Sequence, residues 1–119
     1  MHVMRLTRQA DFDRVRKQGH SHGTPLCVVL AFCRESGPAR IGVAAGRRIG
    51  GAVQRNRAKR LLREGARPLY GLIAPGWDIV LLARTPLLDA KSTDVTEHLE
   101  QALRRLKAWA AVESDEQGA

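Results

Sequence analysis

The stretch from Ala52 to Arg67 constrains this chain more than any other. Stepped at about 100° per residue, Ala58, Leu61, Leu62, Gly65 and Ala66 fall within one arc, and Asn56, Arg60, Arg63 and Arg67 project on the opposite side. A helix divided in this way can be neither wholly buried nor self-sufficient. Its apolar arc needs a cover, and its guanidinium groups need water or an anion. The rest of the chain must supply a layer for it to lie on.

The apolar runs provide that layer. Leu26 to Cys33 is an unbroken β-rich run stopped by the turn signals in Glu35-Ser36-Gly37-Pro38. Arg40 to Ala45 is a second short strand, and Trp77 to Arg84 is a third, apolar on both faces at its centre. The first two, joined by a short turn, are expected to pair as an antiparallel hairpin. Helices are predicted over Leu6–Gln18 and Asp94–Val112. The first has Thr7 as N-cap, Ala10, Phe12 and Val15 as apolar positions and Gly19 as its stop. The second carries the stripe Val95, Leu99, Ala102, Leu103, Leu106 and Trp109. Gly19 to Pro25 reads as a polar loop, and residues 113–119 as a frayed acidic tail. The order α-β-β-α-β-α predicts an α+β sandwich with a small central sheet. With 119 residues there is material for one layered core, hence a single domain over 1–119 with its core at about 6–112.

Charge is concentrated on the constraining helix. Residues 40–67 hold nine Lys/Arg and one acid, which equals the net +8 of the entire chain. Charge spread for solubility would be scattered, so this segment reads as a contact surface for a polyanion, nucleic acid first and an anionic membrane surface second.

Several other functions find little support. No apolar run approaches the roughly 18 residues of a membrane span, and no secretory signal pattern is present, so a cytoplasmic location is expected. Cys27 and Cys33 lie about 20 Å apart along one strand, too far for a disulfide, and read as buried free thiols in a reducing compartment. His20-x-His22 lacks the further ligands a metal site needs. Asp11 and Asp13, like Glu97 and Glu100, read as solvated helix surface rather than acid/base pairs. Trp77 and Trp109 read as core. We therefore expect no catalytic residue and no metal site on the protein.

The informative motif is Arg40-Ile41-Gly42-Val43 followed by Gly50-Gly51-Ala52-Val53-Gln54-Arg55-Asn56-Arg57-Ala58-Lys59-Arg60-Leu61-Leu62-Arg63-Glu64. Its glycines place free amides beside a helix N-terminus, which suits phosphate. Arginines on successive turns can each pair bidentately with a phosphate, and Asn56 adds a donor and an acceptor for a sugar or base.

This spaced set, together with the basic turn before it, resembles the signature of the bacterial ribonuclease P protein, and the likeness runs from Phe12 to about Trp109. The resemblance implies an α/β sandwich with a left-handed β-α-β crossover, a fold class shared with a ribosomal-protein domain. It implies a monomeric subunit, one per RNA subunit, in an endonuclease that removes 5′ leaders from precursor tRNA. The RNA would carry the chemistry with Mg2+ that it holds itself. Arg55, Asn56, Arg57, Lys59, Arg60, Arg63 and Arg67 would face the RNA subunit. Phe12, Arg16, Arg47, Arg48, Ala52, Arg55 and Asn56 would line or border a cleft for the single-stranded leader.

Arg16 stands where many relatives have a second aromatic, Leu30 occupies a strand position that is often aromatic, and Gly46 and Gly51 replace polar residues. Stacking in this cleft should therefore be weaker and electrostatics stronger. A ribosomal or general RNA-binding protein without a part in cleavage is the alternative reading. A DNA-binding regulator would want a helix-turn-helix or dimer interface, which the sequence does not show.

Overall fold

The computed structural model describes residues 3–109. Its elements are β1 (Val3–Arg5), α1 (Gln9–Gln18), β2 (His20–Gly23), β3 (Cys27–Cys33), β4 (Ala39–Ala44), α2 (Ala52–Ala66), β5 (Trp77–Ala83) and α3 (Ser92–Arg105). Short 3-10 turns at Arg47–Ile49, Arg67–Leu72 and Thr85–Asp89 connect the later elements. The α+β expectation holds, with a sheet richer by two strands than the sequence suggested.

The five strands lie in the order β1-β4-β5-β3-β2. The expected hairpin of the 26–33 and 40–45 strands does not form. Instead β5 lies between them, antiparallel to β3 and parallel to β4. The cause is the apolar centre of β5: Ile79, Val80 and Leu81 are fully buried, and a strand covered on both faces is best placed where both edges are also paired. The Arg34–Pro38 link then spans one intervening strand, roughly 10 Å, instead of closing a tight turn.

Both added strands are edges. The supposed loop His20–Gly23 pairs antiparallel with β3, His20 opposite Ala31 and Gly23 opposite Val28. Thr24 turns the corner, its hydroxyl donating to the Cys27 carbonyl at 2.8 Å and accepting from the Cys27 amide at 3.0 Å. Gly19 is required at the end of α1, because a Cβ there would lie 2.5 Å from the Val15 carbonyl oxygen. Helix α1 begins at Gln9 rather than within Leu6–Arg8, and its N-cap position is Arg8, one residue after the expected Thr7.

Two layers of helix sandwich the sheet. On one face α1 covers Leu30 and Val80 with Val15 and, from the chain before it, Leu6. On the other face, Val29, Ala31, Ile79 and Leu81 meet Ala58 and Leu62 of α2 and Leu99 and Leu103 of α3. Gly65 permits the close approach of the two helices, since a Cβ there would sit 2.4 Å from Val95 Cγ1. Each large side chain so buried contributes about 1.5–3 kcal/mol.

The β4-α2-β5 crossover is left-handed. The Ile41 carbonyl accepts from Leu6 N at 2.9 Å and so points toward β1, while the Ile41 side chain lies in the core beneath α2. For an L-residue these two directions fix the view from α2: with β4 running upward, β1 is to the right and β5 to the left. A connection that passes in front and steps left has the rare hand.

Helix α3 ends at Arg105, well short of residue 112, and Lys107 adopts a positive φ of 64°. The chain then folds back, so that Ala74 N donates to the Ala108 carbonyl and Trp109 bridges Ile73. Trp109 is buried, as expected of core, but Trp77 is only half-buried. Cys27 is buried, and burial raises its thiol above the usual range. Cys33 is exposed, contrary to expectation, because it sits at the last position of β3, past the helical cover. The acidic 113–119 tail lies outside the described residues. No helix among the described residues is long and apolar enough to cross a membrane.

Candidate nucleic-acid interface

The cationic helix is placed as its pattern demands. Ala58, Leu62, Gly65 and Ala66 of α2 are buried, while Asn56, Arg57, Arg60 and the following Arg67 are exposed; Arg55, Lys59 and Arg63 are half-buried. Gly50, at φ 135°, makes the sharp entry that only glycine tolerates well, and no side chain caps the first turn of α2. Free amides of that turn therefore sit next to Arg47 and Arg48, both exposed.

Acids are spent elsewhere. Asp78, with no solvent exposure, accepts from Arg34 Nε at 2.8 Å and from Arg40 Nε and Nη2, each at 2.7 Å. Asp11 pairs with Arg14 and, at 3.4 Å, with Arg40, which joins α1 to β4. Asp11 is thus a buried, paired carboxylate and not the solvated surface group its helix pattern suggested, since the α1 face that carries it rests on Arg40. Asp78 lifts the Arg40 guanidinium above its ordinary range. By contrast, none of the α2 cations is paired with a carboxylate among the described residues. Arg55 and Arg57 make only long contacts, each 3.4 Å, to the carbonyls of Gly50 and Leu88.

Between α1 and the basic turn lies a partly open floor. Phe12 is half-buried with its ring over Gly42, where a Cβ would come within 2.6 Å of Phe12 Cζ. Beyond it, Val28, Leu82 and Ala44 form one cross-strand row, all half-buried, that leads along β4 toward Arg47 and Arg48. Leu30 is buried beneath α1 and Arg16 is exposed.

A separate groove of about 620 Å³ runs along β1 and the C-terminal half of α2. It brings Phe12 together with Arg63 and Arg67, residues expected on different surfaces, and adds Arg5 and Tyr70. Arg16, Arg47, Arg48, Ala52, Arg55 and Asn56 are not part of it.

Sequence reasoning missed Val53, which is 80% exposed. Its position opposite the apolar arc of α2 was the available signal. The Val28–Leu82–Ala44 row and Arg5 depend on strand order, which no local pattern encodes. No group of three or more His, Cys, Asp and Glu gathers as a metal site among the described residues.

The fold and this surface define a small basic α+β domain that presents a cationic helix, its arginines and lysine without carboxylate partners among the described residues, beside a half-open apolar floor. The family model for ribonuclease P matches residues 2–107. The chain is 35% identical over 105 residues to the ribonuclease P protein component of Exiguobacterium, covering 88% of this chain and 91% of that one. It is 39% identical over 102 residues to that of Symbiobacterium thermophilum, covering 85% and 89%.

Among solved structures, the Staphylococcus aureus RNase P protein superposes with a TM-score of 0.75 at 32% identity, over 88% of this chain and 96% of that one. The Thermotoga maritima protein gives 0.71 at 34% identity, over 87% and 94%. The chain belongs to the ribonuclease P protein family.

Proposed function

We propose that this chain is the protein subunit of ribonuclease P and works by holding two RNAs on adjoining surfaces. The carrying observation is that α2 keeps its cations free of carboxylates while Asp78 and Asp11 neutralise the arginines of the sheet and α1. Free guanidinium groups on successive turns can each pair with a phosphate of a folded RNA. In this reading Arg55, Asn56, Arg57, Lys59, Arg60, Arg63 and Arg67 dock on the RNA subunit. The 5′ leader of precursor tRNA passes over Phe12 and the Val28–Leu82–Ala44 row toward Arg47, Arg48 and the first turn of α2. Arg16 at the rim, with Ala52, Arg55 and Asn56 at the far end, borders that path.

The protein supplies selection and charge neutralisation. Mg2+ fits the phosphates of the RNA better than Asp11 and Asp78, the buried carboxylates among the described residues, which are each committed to arginines. Hydrolysis of the leader phosphodiester accordingly belongs to the RNA and its ions. Reconstitution with the cognate RNA subunit tests the reading. At low magnesium, leader removal should be fast with the protein and slow with RNA alone. Equal rates would leave a general RNA-binding protein as the better description.

A further inference from the structure

The groove along β1 adds Arg5 and Tyr70, which have no part in the docking and leader roles, to Arg63 and Arg67. Pairing of β1 with β4 stops at Arg5 opposite Ile41, so among the described residues no strand covers the β4 edge at Gly42 and Val43. In parallel register Arg5 projects from the same face as Ile41, beneath α2, where it meets Arg63. Burial first, and then repulsion by Arg5, hold the Arg63 guanidinium below its ordinary range, while Tyr70 acts on it in the opposite sense. Arg67 lines the same groove, and among the described residues none of these three arginines has a carboxylate partner. Like charges gathered without a counter-charge are disfavoured in the free protein and relieved by an incoming anion. The floor is apolar, from Leu6, Ile41 and Val43, and Tyr70 supplies an aromatic ring.

We propose that this groove captures an unpaired nucleotide of the RNA subunit, its phosphate between Arg5 and Arg63 and its base against Tyr70. This rests on the chain being the ribonuclease P protein. A volume near 620 Å³ lies within the range of small-ligand pockets and accommodates a nucleotide. An aromatic face beside guanidinium groups is the usual means of holding an unstacked base. The RNA subunit, rather than the leader, is the occupant because Arg63 and Arg67 continue the cationic side that Arg57 and Arg60 begin. The basic turn lies at the other end of α2, about 20 Å away along its axis.

The test measures assembly of the full-length protein with the cognate RNA-subunit transcript, for wild type, Arg5→Gln, Tyr70→Ala and Tyr70→Phe. Precursor binding by the assembled enzyme at saturating protein is measured alongside. Arg5→Gln and Tyr70→Ala should each weaken assembly roughly tenfold, and Tyr70→Phe, which keeps the ring, should remain within about twofold of wild type. Leader dependence at saturation should not change. Arg5 is exposed on an edge strand, so its variant tests the groove without threatening the core.

Unchanged assembly by Arg5→Gln would overturn the proposal, as would loss of leader dependence in place of loss of assembly. A Tyr70→Phe variant as weak as Tyr70→Ala would also overturn it. If wild type itself neither assembles nor stimulates cleavage, the functional reading fails; if wild type does both and the groove variants match it, only the groove assignment fails.

Discussion

Asp78 shows how one residue decides what the rest of the surface can do. It is fully buried, with both oxygens taken up by Arg34 and Arg40. Those arginines keep 19% and 23% exposure, so they partly rehydrate if the acid is lost. Asp78→Asn should therefore destabilise the fold by about 3 kcal/mol, the low end for breaking a buried pair, measurable by urea denaturation. A loss below about 0.5 kcal/mol would mean that the pair contributes nothing net. The carboxylate also keeps the positive charge of the sheet internal. Lying in an apolar run, Asp78 offered a sequence reader no sign of its partners, 44 and 38 residues away. Phe12 presents the reverse case. Its helix period alone favoured plain core, and only the family likeness pointed to the half-buried position it occupies over Gly42.

At the scale of elements, α2 was the most legible part of the chain and the sheet the least. A period near 3.6 and a one-sided charge distribution are local properties, so the buried and exposed sides of α2 follow from its own residues. Strand order is set by competition among distant segments for the central position, and β5 won it through Ile79, Val80 and Leu81. That is why the hairpin expectation failed and why the polar segment at His20–Gly23 became an edge strand. The exposed side of α2 carries a prediction of its own. Replacing Arg60 and Arg67 by Ala should reduce the slope of log affinity against log salt for RNA-subunit assembly by roughly one to two. An unchanged slope would show that neither residue meets a phosphate.

For the whole molecule, the division of labour between faces is the central point. The acids bind the sheet and α1 together, the apolar sides of three helices build the core, and the surplus positive charge is left on α2 and the turn before it. The left-handed crossover sets α2 on the face opposite α1, with the basic turn at the end of β4 between them. None of this handedness was readable from periodicity; it came from likeness to a family and then from the direction of the Ile41 carbonyl.

The most direct measurement is the affinity ratio for leader-bearing over mature tRNA, determined for the RNA subunit alone, with wild-type protein, and with Phe12→Ala. The protein should raise that ratio, and Phe12→Ala should remove about 1–3 kcal/mol of the gain while leaving mature tRNA binding unchanged. A ratio that stays the same whether or not the protein is present would contradict the account.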